Sequence, residues 1–163
     1  VEIKSQISFF DGIRSEEIQE TLIKAAADLI SEETPNYQWV AGNLINYHLR
    51  KMVYDSYDPW PLHKIVDHNV DAGFYDPELL EVYSADEWEE LDKAIKHDRD
   101  YEIAYVGMEQ FRGKYLVQNR ATGKIYETPQ VAYMLISASL FSGYPKEERL
   151  KWVKDYYLSL IHI

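Results

Sequence analysis

The stretch GKYLVQNRATGKIYETPQ, residues 113–130, decides the fold, because strand periodicity, turn chemistry and a helix start follow one another in it without a gap. Tyr115 and Val117 alternate with Leu116 and Gln118 as in a half-buried strand, and Ile125 and Tyr126 begin a return strand. Between them, residues 119–123 supply a polar turn with Gly123 for positive φ. The pattern predicts that 115–118 pairs antiparallel with 124–127. Thr128 then stands at the cap of a helix whose first residue is Pro129, where a missing N–H costs nothing. Residues 131–141 follow, apolar on nearly all sides, and read as the most buried helix of the chain.

Helical patterns surround this segment. Ile3, Ile7 and Phe10 have helical spacing without a capping residue before them, and Asp11-Gly12 breaks that pattern. Ser15 is placed to cap the next helix, with Glu16 and Glu17 in a first turn where the macrodipole favours acids. Ile18, Leu22, Ala25, Ala26, Leu29 and Ile30 draw its apolar stripe. Thr34-Pro35 repeats the cap-plus-proline signal for a helix to about Tyr54, with Tyr37, Val40, Ala41 and Leu44 facing inward. The turn-rich DSYDPWP at 55–61 marks a domain boundary. Beyond it, 62–72 reads as a short helix ended by Gly73, and Asp76-Pro77 starts another. Ser84 and Glu87 form a capping box for a helix through Lys96, and HDRD at 97–100 reads as its close. Residues 100–112 are a further helical candidate. Gly143-Tyr144-Pro145 turns into a last amphipathic helix carrying Leu150, Val153 and Tyr157. The fold class is mainly α, a helical bundle followed by a second helical domain with one β-hairpin.

Composition narrows the function. A chain of 163 residues, 46% hydrophobic and with fourteen tyrosines, is long enough for one sizeable core or two small ones. A net charge of -11 argues against nonspecific nucleic-acid binding, which needs clustered Lys and Arg. The absence of cysteine removes disulfides, thiolate metal sites and thiol chemistry from these residues. The longest apolar run, 131–136, is too short to span a bilayer, and a cytoplasmic protein is the default reading.

Four polar residues form the candidate binding set. Ser15 and Gln19 lie one helical turn apart, as do Tyr47 and Lys51, so two helices each present a polar pair on one face. A helix N-terminus at Ser15 suits phosphate, Lys51 supplies positive charge, and Tyr47 offers a ring to a base. By contrast, His63, His68 and His97 lack ligand spacing, so no metal site is expected. Acidic pairs such as Glu89-Glu90 and Glu147-Glu148 read as solvated helix faces rather than general acids and bases. The tyrosines at 126, 133, 156 and 157 read as structural.

The residues also carry a family resemblance. Residues 113–141, with FFDGIRSEEIQETLIKAAADLI (9–30), PNYQWVAGNL (35–44), HLRK (48–51) and HDRD (97–100), resemble in order the N-terminal part of the large (α) subunit of class I aerobic ribonucleotide reductase. The resemblance implies that 1–54 is the C-terminal part of an ATP-cone, the small domain through which this family senses ATP and dATP. It implies that 55–163 is the helical domain leading to the catalytic barrel. Ser15 falls where the family has an effector-contacting Thr or Ser, Lys51 on the cone's late nucleotide-contacting lysine, and Gln19 and Tyr47 near other pocket positions. The cone's opening β-hairpin has no counterpart in the sequence. At the other end the resemblance runs through KWVKDYY (151–157) and stops at LSLIHI (158–163), which one reading frame of a transposon-end sequencing adapter would encode. Those six residues are therefore expected to be non-native, and the chain to be truncated at both ends.

What the resemblance implies for activity is reduction of ribonucleoside diphosphates to deoxyribonucleotides for DNA synthesis. In the family a thiyl radical and a cysteine pair do the chemistry, and a separate metal-containing β subunit generates the radical. With no cysteine, these residues are expected to be inactive alone. Implied partners are the β subunit, a second α subunit and nucleotides, with no nucleic acid and no membrane. Two other readings stay open: a non-catalytic nucleotide-sensing regulatory module, and a helical interaction protein without a ligand.

Overall fold

The computed structural model describes residues 11–162. The helical spacing read over residues 1–10 lies outside them. The helices are α1 (Ser15–Ala27), α2 (Tyr37–Tyr54), α3 (Leu62–Asp71), α4 (Glu78–Val82), α5 (Ala85–Ala94), α6 (Tyr105–Gln110), α7 (Pro129–Leu140) and α8 (Lys146–Ile161). A two-stranded antiparallel hairpin, β1 (Gln118–Asn119) and β2 (Lys124–Ile125), is the sheet of this mainly α chain. Contacts divide the chain into two compact units, Val1–Tyr57 with Asp98–Tyr115, and Asp58–His97 with Leu116–Ile163.

In the first unit α2 packs against both α1 and α6. Its buried face is therefore Ala41, Ile45, Leu49 and Tyr54, while Val40 is exposed. Two partner helices leave α2 a broad buried face that does not include Val40. Gly42 is where α2 comes closest to the chain entering α6. A Cβ there would stand 2.4 Å from the Ile103 carbonyl oxygen, so the absent side chain permits the approach. α1 buries Ile23, Ala25 and Ala26. It ends at Ala27, which leaves Ile30 in the following turn and exposed. Thr34 does not cap α2, because its hydroxyl donates to the Leu29 carbonyl oxygen (2.6 Å) and so closes the turn after α1.

The segment around HDRD corrects two sequence expectations. α5 ends at Ala94, and HDRD opens a 3-10 helix, His97–Glu102, rather than closing the helix before it. Asp100 is buried within that tight turn. The helical candidate at 100–112 is correspondingly broken, with α6 starting only at Tyr105 and a π-helical turn, Phe111–Tyr115, completing it.

The second unit is built around α7, which packs on α8, while α5 packs on α3 and α8. Leu62, Ile65, Val66, Trp88, Leu91, Val131, Met134, Val153 and Tyr157 form its core. α5 starts as the sequence indicates. The Glu87 N–H donates to Ser84 Oγ and Glu87 Oε2 accepts from the Ser84 N–H (2.8 Å), which completes the capping box. Thr128 and Pro129 take the expected positions at the start of α7, although the Thr128 side chain makes no capping hydrogen bond. α7 is deeply buried along most of its length, yet Ile136 and Leu140 are exposed on one side.

The hairpin exists but sits later than its sequence periodicity indicates. Gln118 pairs with Ile125 and Asn119 with Lys124, and the Tyr126 N–H donates to the Val117 carbonyl oxygen (3.0 Å). Tyr115 ends the π-helical turn, so the ladder cannot begin before Leu116. Gly123, at φ 74, makes the return. What anchors the pair is a buried carboxylate: Glu127 Oε2 accepts from the Tyr75 hydroxyl (2.5 Å) and Oε1 from the Val117 N–H (2.9 Å). Burial raises the Glu127 carboxyl above its ordinary value, and these donors only partly offset that.

A raised carboxyl contributes stability that is fully present below the unfolded pKa and is lost as pH rises through the folded one. Glu127→Gln should therefore flatten the pH dependence of stability between acid and neutral pH, most visibly as a higher urea midpoint than wild type at pH 8. Parallel midpoint curves for the two proteins from pH 4.5 to 8 would rule this out.

Candidate functional site

The candidate residues lie on the two helices that pack together in the first unit. Ser15 is the first residue of α1 and exposed, with Arg14 rather than Ser15 at the cap position. The cap is made from inside the helix. Glu17 Oε2 accepts from the Arg14 N–H (3.0 Å) and Oε1 from its guanidinium (3.1 Å). The Arg14 backbone and side-chain hydrogen bonds hold Glu17 below the usual carboxylate range. With Glu16 and Glu17 in its first turn, the α1 N-terminus already carries negative charge that a phosphate there would have to oppose.

On α2, the Tyr47 ring is 43% exposed and rests edge-on against Tyr57 (5.7 Å) and tilted against Tyr101 (5.6 Å). Its free surface can take a base by stacking. Arg50 supports the cluster from below. Its guanidinium lies 4.7 Å from the Tyr101 ring centre and donates to the Tyr57 carbonyl oxygen (3.2 Å). Lys51 donates to the Asp55 carbonyl oxygen (2.9 Å) and pairs with its carboxylate (3.1 Å), with Asp55 in the left-handed conformation at φ 53 that ends α2. Both partners are largely exposed, so an anion can draw Lys51 away at little cost. Gln19 is half-buried on α1.

Where α1 meets α2 stands a charge cluster that residue spacing does not announce. Glu20 Oε1 lies 3.2 Å from His48 Nδ1 on α2 and accepts from Arg112 Nη1 (2.7 Å). Arg112 also grips Glu109 through Nε (3.0 Å) and Nη2 (2.6 Å), a two-pronged bond from the π-helical turn back to α6. The His48 hydrogen bond, with help from Arg112 and against partial burial, lowers Glu20 to about 2. Glu20 follows Gln19 in sequence and His48 follows Tyr47, so this cluster fixes the relative placement of α1 and α2 on which any joint ligand depends. HLRK contains His48, but nothing local connects Arg112 to a glutamate 92 residues away.

A depressed carboxyl gives stability that is present above the unfolded pKa and lost as pH falls through the folded one. The first unit should loosen as pH falls from about 4.5, the ordinary value of a glutamate, to about 2, the folded value of Glu20. Glu20→Gln should remove the part of this acid transition that belongs to the cluster. Tyr105, whose phenol burial raises, provides a near-ultraviolet signal on α6 for following it. Superimposable acid titrations of variant and wild type would contradict this assignment.

Among the described residues no three His, Cys, Asp or Glu side chains gather as a metal site, and no helix is long and apolar enough to cross a membrane. Known proteins match this chain over nearly all of it. The family described as "Ribonucleotide reductase, all-alpha domain" matches residues 101–162. The ribonucleoside-diphosphate reductase 1 subunit alpha of Escherichia coli is 50% identical over 157 residues, 96% of this chain and 21% of that protein. The chain belongs to the ribonucleoside-diphosphate reductase α-subunit family. The corresponding subunits of Haemophilus influenzae and of bacteriophage T4 are 51% and 47% identical, over 96% and 90% of the chain. The chain spans about a fifth of the length of these curated relatives.

Proposed function

We propose that these residues are the regulatory and supporting front part of a ribonucleoside-diphosphate reductase α subunit: 1–54 the rear of its ATP-cone, 55–163 the helical domain ahead of the catalytic barrel. The observation that carries this reading is the roughly half identity, kept across 96% of the chain, to subunits named as that enzyme. The full-length protein would reduce ribonucleoside diphosphates to deoxyribonucleotides in the cytoplasm, acting as an α dimer with a β subunit that holds the metal cofactor. Residues 1–163 contain no cysteine, so the thiol chemistry of the reaction belongs elsewhere in the polypeptide.

ATP and dATP are the effectors, held by Ser15, Gln19, Tyr47 and Lys51. Three features support that assignment: the exposed ring of Tyr47, the easily released Lys51, and the Glu20–His48–Arg112 tie that holds α1 against α2. Because Glu16 and Glu17 crowd the α1 N-terminus, the phosphates lie toward Lys51 and the base toward Tyr47. Isothermal titration of the full-length α subunit with ATP and dATP tests this. Lys51→Ala should weaken binding by about 1.5–3 kcal/mol, the scale of a hydrogen bond to a charged group, or roughly ten- to a hundredfold. Equal affinities for wild type and variant would show that Lys51 does not touch phosphate.

A further inference from the structure

Asp11 and Gly12 form an exposed turn just ahead of α1. Gly12 stands at φ 90, a conformation that residues with a side chain rarely adopt, and a Cβ built there would meet nothing within 4 Å. The space around this residue is open. Among the described residues, the Gly12 N–H has no hydrogen-bond acceptor, and the Asp11 carboxylate has neither a donor nor a cation as partner. A side-chain carboxyl and the backbone N–H of the next residue therefore stand side by side, unshielded and uncommitted.

No other aspartate or asparagine of the sequence precedes a glycine. Elsewhere the same pairing is blocked in ways the structure identifies. Asp58 and Asp76 precede prolines, which have no N–H. After Asp28 and Asp71 the next nitrogens are already engaged, Leu29 N–H donating to the Ala26 carbonyl oxygen (3.1 Å) and Ala72 N–H to that of His68 (3.0 Å). Asp55 has a side chain 95% exposed and precedes the small Ser56, yet its carboxylate pairs with Lys51 at 3.1 Å. Exposure alone does not single out Asp11; exposure beside a bare, unbonded glycine nitrogen does.

We propose that Asp11-Gly12 is a site of isoaspartate formation, and that the altered linkage displaces the start of α1 and weakens effector binding there. The Gly12 nitrogen attacks the side-chain carboxyl carbon of Asp11 in its protonated form. A C–N bond replaces the C–OH bond, and the hydroxyl leaves with the amide proton as water, giving a five-membered cyclic imide. Water then opens the ring. Addition at the side-chain carbonyl restores aspartate, whereas addition at the main-chain carbonyl leaves the chain running through the side-chain carbon. Mass is unchanged and no other reactant is consumed, but the main chain gains one methylene and its former carboxyl becomes a free branch. The change falls just ahead of Arg14, which caps α1 through its bonds to Glu17 (3.0 and 3.1 Å) and depends on the direction in which the chain leaves Gly12. The effect on effector binding rests on the reading above, in which Ser15 contacts the nucleotide; the modification itself does not.

The experiment ages the full-length α subunit at pH 7 in heavy-oxygen water, samples it over time and digests each sample with trypsin. The expected result is that the peptide SQISFFDGIR, residues 5–14, resolves into two forms of one sequence. The form that grows with time carries heavy oxygen and accepts a labelled methyl group from S-adenosylmethionine when an isoaspartyl methyltransferase is added. Asp11→Glu, which would have to close a six-membered ring, should abolish that form, and the peptide containing Asp55 should show none. Isothermal titration should find ATP affinity lowered severalfold in the aged wild type and unchanged in Asp11→Glu aged beside it. A single form of peptide 5–14, or a second form that grows no faster than one at Asp55, overturns the proposal. So does aged, modified protein that binds ATP as tightly as fresh protein. Fresh protein that binds no ATP overturns the effector reading instead, and the peptide then decides the isoaspartate assignment by itself.

Discussion

Replacing Arg149 by Met is expected to destabilise the second unit by about 3–5 kcal/mol, the range for removing one partner of a buried ion pair. Arg149 on α8 donates from Nε (3.0 Å) and Nη2 (2.8 Å) to Glu87 on α5, and from Nη2 also to the Val82 carbonyl oxygen; its side chain and that of Glu87 are 9% and 7% exposed. The guanidinium also lies 4.7 Å from the ring centre of Tyr83, whose phenol burial pushes up to about 12. Burial alone would raise the Glu87 carboxyl; the Arg149 hydrogen bonds, followed by those of Ser84, outweigh it and hold the carboxyl below its ordinary value. Methionine can fill much of the volume but leaves a carboxylate in an apolar place with only Ser84 to bind it. Glu87 should then titrate high, so the deficit should shrink as pH falls toward the acid range, because a raised carboxyl gives its stability below the unfolded pKa. The double variant Glu87→Gln, Arg149→Met should recover most of the loss, since Gln keeps the capping bond to Ser84 without charge. Urea unfolding followed by Trp88 fluorescence, 4.9 Å from Tyr83, provides the measurement. A loss below about 1 kcal/mol in Arg149→Met at pH 7 would mean that water reaches Glu87 and that the pair behaves as a surface bridge.

What the sequence made legible and what it hid divide along the range of the interactions. Ser84 with Glu87, Thr128 with Pro129 and Gly123 announce element starts and a turn because each acts within a few residues; all three stand at the expected positions, though Thr128 holds its place without a capping hydrogen bond. HDRD misleads for the same local reason. Its charges suit a helix end, but Asp100 is buried in a 3-10 turn, and no local rule predicts the burial of an aspartate. Tyr115 reads as strand by alternation, yet α6 runs on through a π-helical turn to that residue and delays the ladder to Gln118. The stripe on α2 holds at Ala41 and fails at Val40, because α6, more than fifty residues later, packs on the same helix as α1. The candidate site shows the same split. Ser15, Gln19, Tyr47 and Lys51 are found by helical spacing and by family resemblance, whereas Arg112, which completes the tie between their helices, becomes visible only when the chain is folded.

Tyr157→Phe is expected to lower the stability of the second unit by about 1–3 kcal/mol, although it removes a single oxygen and leaves the volume nearly unchanged. The Tyr157 hydroxyl is fully buried, donates to Gln130 Oε1 (2.6 Å) at the start of α7, and accepts from the Lys96 N–H (2.8 Å) just after α5. One oxygen therefore ties α8 to two other segments. Its loss takes one partner from the Lys96 N–H and one from the buried Gln130 side chain, a cost of about 1–3 kcal/mol on the scale of one buried hydrogen-bonding group. Cavity formation contributes little, because the ring remains and packing is kept, which separates this effect from a core truncation. The adjacent Tyr156 provides the internal control. Its ring is 36% exposed, so Tyr156→Phe should change stability by less than about 0.5 kcal/mol. Amide exchange at Lys96 adds a local readout, since Tyr157→Phe should speed it at least as much as global unfolding requires while Tyr156→Phe leaves it unchanged. Equal stability losses for the two variants, or an unaltered Lys96 exchange rate in Tyr157→Phe, would mean that the buried hydroxyl is not what joins α8 to α5 and α7.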